Sequence, residues 1–150
     1  MKTNLTAIVP AAGLGKRFGE DKNKPFFNLL GKPLLLWVLE MLQGCDEISE
    51  IIPVLKEDYI DDCADLLEEY RIPKVKQITP GGKERQDSVY NGLKCVRGKT
   101  GTVLIHDGAR SLVDIETIRR TIKGLDGFDS AIAAVPVKDT IKTVRWQESR

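Results

Sequence analysis

An α/β fold, with a doubly wound and mostly parallel sheet covered by helices on both faces, is predicted by three observations on this 150-residue chain. Short, nearly continuous apolar runs alternate with amphipathic segments. The runs have strand length and the segments helix length, which is the order that βαβ crossovers require. The stretches rich in glycine and charge fall where the apolar runs end, at the rim where parallel sheets take their ligands. Composition agrees with this Rossmann-like arrangement: 41% of residues are hydrophobic and 30% charged, the balance of a soluble globular domain. A chain of this length buries a core without disulfide or metal staples.

The elements follow in order. Residues 5–10 form a first, buried strand. A glycine-rich loop spans 11–19, and a charged stretch runs on to Lys24. Pro33 opens a helix at its favoured first position, Leu34, Leu35, Trp37, Val38, Met41 and Leu42 follow, and Gly44 closes it. Residues 51–55 are the second strand, with Pro53 marking a free edge or an irregularity. Asp58 is a candidate cap for a helix in which Ile60, Cys63, Leu66, Leu67 and Tyr70 recur at helical spacing. The third strand is 75–79, the loop 80–82, and the third helix 84–96, with Val89, Leu93 and Val96 as its core face. The fourth strand is 102–105, followed by the loop 106–111. Asp114 or a neighbour starts a fourth helix through Ile118, Ile122 and Leu125, and 131–135 is a fifth strand. From 136 to 146 apolar and polar residues alternate with no helix behind them, which reads as an extended arm.

Charge and cysteine use exclude several classes. The formal net charge of +1 argues against a duplex nucleic-acid binder relying on a strong basic field. No apolar run approaches the roughly 20 residues that span a bilayer, and the N-terminal apolar stretch is too short for a signal peptide. Cys45, Cys63 and Cys95 are widely spaced with no CxxC, as expected of reduced thiols in a cytosolic chain.

Four clusters carry the chemistry. The first, residues 10–19, holds Ala11, Ala12, Gly13, Leu14, Gly15 and Arg17. Glycines after a strand let the backbone turn its N–H groups toward an anion. Gly15-Lys16 is followed by Arg17 rather than Ser or Thr, so the P-loop pattern fails, and the third glycine comes too late for a dinucleotide fingerprint. The guanidinium of Arg17 and the ammonium of Lys24 together suit a triphosphate whose charge must be neutralised during attack. The second cluster, 81–89, exposes the backbone of Gly81 and Gly82, which can read the edge of a base, and sets Arg85 and Ser88 on one helix face. Its plainer reading is a helix start with Glu84 and Asp87 complementing the dipole. The third, 105–110, puts Asp107 and Gly108 at a strand end, where a carboxylate suits Mg²⁺ or a sugar hydroxyl. His106 is the sole histidine and reads as structural, and no partner set for zinc accompanies it. The fourth, 135–142, carries Lys138, Thr140 and Lys142, either a polar edge strand or an attractor for an anionic substrate.

In order and spacing, residues 10–17, 81–89, 106–110 and 136–140 resemble the 2-C-methyl-D-erythritol 4-phosphate cytidylyltransferase family of isoprenoid precursor biosynthesis. The resemblance runs over the whole chain and implies CMP transfer from CTP to a polyol phosphate, with Mg²⁺ or another divalent cation as cofactor. Arg17 and Lys24 match the family's transition-state stabilisers, and residues 11–15 its nucleotide loop. Gly81, Gly82, Lys83 and Ser88 sit where it reads cytosine and ribose, with Arg85 supporting that loop. Asp107, with Gly108 beside it, matches the acidic residue near ribose, metal and acceptor. Thr140 matches an acceptor-binding residue on an arm that reaches over a homodimer partner. Ser111 stands where the family usually has Pro, and Lys83 where an acid is frequent. The resemblance also implies a cytoplasmic enzyme, or a plastid stromal one in a plant. On this reading 1–150 is a single nucleotidyltransferase domain lacking its C-terminal part, 136–150 begins the dimerisation and substrate arm, and the 150 residues alone have little or no transferase activity. The rival readings are a ribitol 5-phosphate cytidylyltransferase, a sugar 1-phosphate nucleotidyltransferase and a non-catalytic nucleotide-binding module.

Overall fold

The computed structural model describes residues 5–13, 24–98, 101–140 and 142. The main sheet is parallel and four-stranded, built from β1 (Leu5–Pro10), β4 (Ile48–Leu55), β5 (Thr79–Pro80) and β6 (Thr102–Ile105) in the order β5-β4-β1-β6. Among the described residues four helices accompany it: α1 (Leu34–Gln43), α2 (Ile60–Tyr70), α3 (Arg85–Cys95) and α4 (Ile115–Lys123). The α/β fold with helices on both faces is thus present. Leu5, Ala7 and Val9 of β1 share a core with α1, with Cys63 of α2 and with Ile118 of α4. On the opposite face α3 lies so close that a Cβ on Gly92 would meet Ile8 and Val54. None of the described helices is long and apolar enough to cross a membrane.

Helix ends follow local chemistry. The Asp114 carboxylate accepts from the Thr117 N–H at 2.6 Å, as a cap should, and this bond holds its pKa below the ordinary value. Gly44 closes α1, and Arg71 ends α2 in a left-handed conformation. Asp58 does not cap α2: it lies inside a 3₁₀ turn, Glu57–Tyr59, and α2 begins at Ile60. Leu125 falls beyond the end of α4.

Two strand predictions need correction. Residues 75–79 do not form one strand: Val75 makes an isolated bridge to Ile51, and pairing resumes only at Thr79. Pro53 explains the gap. The Ile51 N–H donates to the Lys74 carbonyl, so alternate residues of β4 face the β5 side, and Pro53, two residues on, has no N–H to give there. Residues 131–135 form no strand. They lie beside the C-terminal half of α4 with Ile132 and Val135 each 85% exposed, because no described element covers so apolar a run. The described part of the arm, 136–140 and 142, also has no regular structure, and its remainder lies outside the described residues.

A small hairpin, β2 (Asn28–Leu29) and β3 (Lys32–Pro33), was not foreseen. Lys32 pins it, with Nζ 2.6 Å from Glu40 and over the rings of Trp37 and Tyr70. Upstream, the Phe26 ring stacks on Tyr59 and fixes where the chain leaves the Lys24–Phe26 turn. At the hairpin tip Leu30 has φ 54° and is 87% exposed. A leucine held left-handed with nothing to pack against is strained, so Leu30→Asn is expected to raise stability by about 1 kcal/mol, read from urea denaturation.

Candidate functional site

Three loops leave the carboxyl ends of β1, β5 and β6, and each extends the sheet's hydrogen bonding past its strand. The Ala11 N–H donates to the Val54 carbonyl at 2.8 Å, the Gly81 N–H to Leu55 at 2.7 Å, and the Gly108 N–H to Pro10 at 3.1 Å. The described residues of three of the four polar clusters therefore meet at one rim. At Gly81 the fit is so close that a Cβ would run into the Ala12 methyl and lie 2.9 Å from Ser88 Oγ.

The helix behind the diglycine shows why. Ser88 and Gly92 are buried, while Leu93 is 42% exposed, so the sheet-facing side of α3 is the small-residue side rather than the predicted Leu93 side. Ser88 Oγ accepts from the Gly82 N–H at 3.1 Å and donates to the Glu84 carbonyl at 3.2 Å. Its hydroxyl is thereby spent on the loop. Glu84 and Asp87 complete a reciprocal cap at the start of α3. Lys83 is exposed beside them.

Arg85 reaches across the rim. Its Nε and Nη2 donate to Asp107 Oδ1 at 3.1 and 2.7 Å, while Arg110 Nε lies 2.9 Å from Oδ2. One carboxylate thus holds two guanidiniums. Both arginines are largely exposed, and exposed pairs contribute only about 0–1 kcal/mol, so the trio orients charge more than it stabilises the fold. Arg110 had no role in the sequence reading, although its i,i+3 spacing from Asp107 was the available signal. The trio is among the residues lining an open trough of about 900 Å³ between β6 and α4.

His106 is buried behind Asp107, with neither ring nitrogen bonded among the described residues. Burial holds its pKa below the ordinary 6.5. The unfolded chain therefore takes up this proton at a higher pH than the folded one. Stability is expected to be full above about pH 6.5 and to fall as pH drops from there toward the folded pKa, by up to about 1.4 kcal/mol per pH unit. Denaturant titrations between about pH 5 and 8 should show this slope in the wild type and lack it in His106→Leu.

The other predicted site residues are described only in part. Leu14, Gly15 and Arg17 lie outside the described residues, as does the side chain of Lys24. Ala11, Ala12 and Gly13 are in place after β1. Thr140 is exposed on its irregular stretch, and no described contact ties it to the rim. Among the described residues no group of three or more His, Cys, Asp or Glu gathers into a metal cage. Asp107 offers a single carboxylate. Mg²⁺ commonly takes one or two carboxylates and completes its shell with substrate phosphates, but both Asp107 oxygens hold guanidiniums, so Asp107 would take a cation only by releasing Arg85 or Arg110.

A parallel sheet with glycine, carboxylate and guanidinium groups beyond its carboxyl ends marks a Rossmann-like α/β protein whose ligand rim lies there. Comparison with known proteins agrees: the family model for IspD, 2-C-methyl-D-erythritol 4-phosphate cytidylyltransferase, matches residues 5–149. The chain belongs to that family. It is 44% identical over 143 residues to the Clostridium botulinum (strain Langeland) protein of that name, covering 95% of this chain and 62% of the relative. It is 41% identical to the one from Geotalea uraniireducens, covering 93% and 61%. The crystal structure of 4-diphosphocytidyl-2C-methyl-D-erythritol synthase from Anaerococcus prevotii matches with a TM-score of 0.83 at 30% identity, over 97% of this chain and 61% of that one. The chain spans about three fifths of the length of these relatives.

Proposed function

We propose that the protein transfers CMP from CTP to 2-C-methyl-D-erythritol 4-phosphate and releases pyrophosphate, a step in isoprenoid precursor biosynthesis. The observation that supports this reading best is the meeting of three loops at one rim, tied by Gly81 against Ala12 and by Arg85 on Asp107. An oxygen of the acceptor's phosphate attacks the α-phosphorus of CTP in line. The bond to the bridging oxygen breaks, and its electron pair leaves with pyrophosphate. The chain's own residues position two mutually repelling anions and offset charge in the transition state. In this reading the 11–15 loop cradles the phosphates with its N–H groups. Arg17 and Lys24 grip the triphosphate. The backbone of Gly81, Gly82 and Lys83 reads the base, Ser88 and Arg85 hold that loop and its connection to Gly108, and Asp107 faces the ribose and the acceptor. A Mg²⁺ arriving with CTP would supply charge neutralisation on the phosphates, and Asp107 would be its protein ligand once a guanidinium lets go of one of its oxygens. The protein acts as a cytoplasmic homodimer, with Thr140 on the arm that meets the acceptor.

The test is to incubate the full protein with Mg²⁺, CTP and either methylerythritol phosphate or ribitol 5-phosphate, and to follow pyrophosphate release. Release with methylerythritol phosphate is the expected result. Release only with ribitol phosphate, or CTP binding without release, would replace the reading.

A further inference from the structure

The outer edge of β5 has a feature that the reaction above does not use. Among the described residues β5 is the last strand of the sheet, and its inner side pairs with β4. On its outer side Pro80 has no N–H, and its carbonyl points away from the sheet. Asn91, on α3 three residues beyond Ser88, supplies the missing partner: its Nδ2 donates to the Pro80 carbonyl at 3.1 Å. That carbonyl belongs to the same peptide plane as the Gly81 N–H, which donates to Leu55 at 2.7 Å. One plane is therefore gripped at both ends. The next plane is gripped by Ser88, which takes the Gly82 N–H at 3.1 Å. Together these bonds set φ and ψ of Gly81, a residue that otherwise has the widest choice of conformation. The Gly81 carbonyl lies in that second plane, so its direction is set together with the Gly82 N–H; no described bond engages it, and it is left for a ligand.

We propose that Asn91 is a positioning residue for nucleotide selection: it touches no substrate, but fixes the diglycine backbone that reads the pyrimidine. This rests on the functional reading above. A loosely held diglycine can turn a carbonyl or an N–H toward the base, and so loses its preference between an exocyclic amine and a carbonyl at the same ring position.

The test uses the full protein and two variants. Asn91→Ala is a better helix former at a partly exposed position, so folding is not at risk. Asn91→Asp keeps the shape and turns the donor into an acceptor facing the Pro80 carbonyl. Affinities for CTP and UTP are measured by calorimetry, alongside thermal stability. Loss of one such neutral hydrogen bond should weaken CTP binding roughly three- to tenfold and lower the CTP-over-UTP preference, with little change in Tm. A purely structural side chain would move Tm and leave the preference alone. Variants that bind CTP as tightly and as selectively as wild type overturn the inference. Wild-type protein that binds neither nucleotide overturns the functional reading itself, an outcome distinct from the first.

Discussion

Gly81→Ala is expected to weaken CTP binding by at least about tenfold while leaving the sheet folded. The added methyl has no room to give way. It would run into the Ala12 methyl on one side, and would lie 2.9 Å from Ser88 Oγ and 3.4 Å from the Leu55 carbonyl on the others. Two of these three neighbours belong to the rim itself. Relief therefore means parting the loop after β5 from the loop after β1, or breaking the Ser88 bond that holds Gly82. Overpacking of this kind costs about 1–3 kcal/mol, and here it falls on the geometry of the rim more than on the core. Calorimetric titration with CTP measures the affinity, and urea denaturation checks that the variant is folded. Unchanged affinity would show that the two loops do not form one site.

Arg17→Ala and Lys24→Ala are each expected to lower turnover by roughly 10²–10³, with a smaller effect on CTP affinity. In the proposed reaction two phosphates of like charge must approach, and charge then accumulates on the departing pyrophosphate. A cation that strengthens its hold as that charge grows contributes to kcat more than to ground-state binding. Arg17→Lys should recover only part of the loss, because an ammonium lacks the two-pronged geometry of guanidinium. Steady-state pyrophosphate release at saturating substrates gives kcat, and CTP titration gives the affinity. Wild-type turnover in both alanine variants would remove these residues from the mechanism.

How far the sequence revealed this site depends on the residue. Strand ends were legible because glycine and charge follow the apolar runs, and β1, β4 and β6 were read from their runs alone. Pro53 was flagged as an irregularity, yet its consequence appears one strand away, in the broken third strand, and a linear reading does not say which neighbour a missing N–H faces. The buried face of α3 was misread because its contacts are made by Ser88 and Gly92, and hydrophobic periodicity overlooks small residues that permit close approach. The 28–33 hairpin was overlooked because its strands have two residues each and its turn is Leu30-Gly31, without the Asn-Gly or Asp-Gly that signals such a turn. The run 131–135 has the composition of a strand, but a strand also needs a neighbour, and composition does not supply one. The hold of Asp107 on both Arg85 and Arg110 joins residues 22 positions apart in one case and three in the other, and only the nearer spacing was open to inspection.

The backbone bonds that fasten the three rim loops bear on how this protein tolerates change. Ala11, Gly81 and Gly108 are tied to carbonyls of Val54, Leu55 and Pro10, so each loop inherits its position from where a strand ends. Exchanging an exposed loop side chain, as at Lys83, leaves those anchors untouched. Deleting one residue within β4 would draw the Val54 and Leu55 anchors along by about 3.3 Å and turn every following side chain to the other face. For redesigning this rim, exposed loop side chains are the editable variable and strand length is the fixed one.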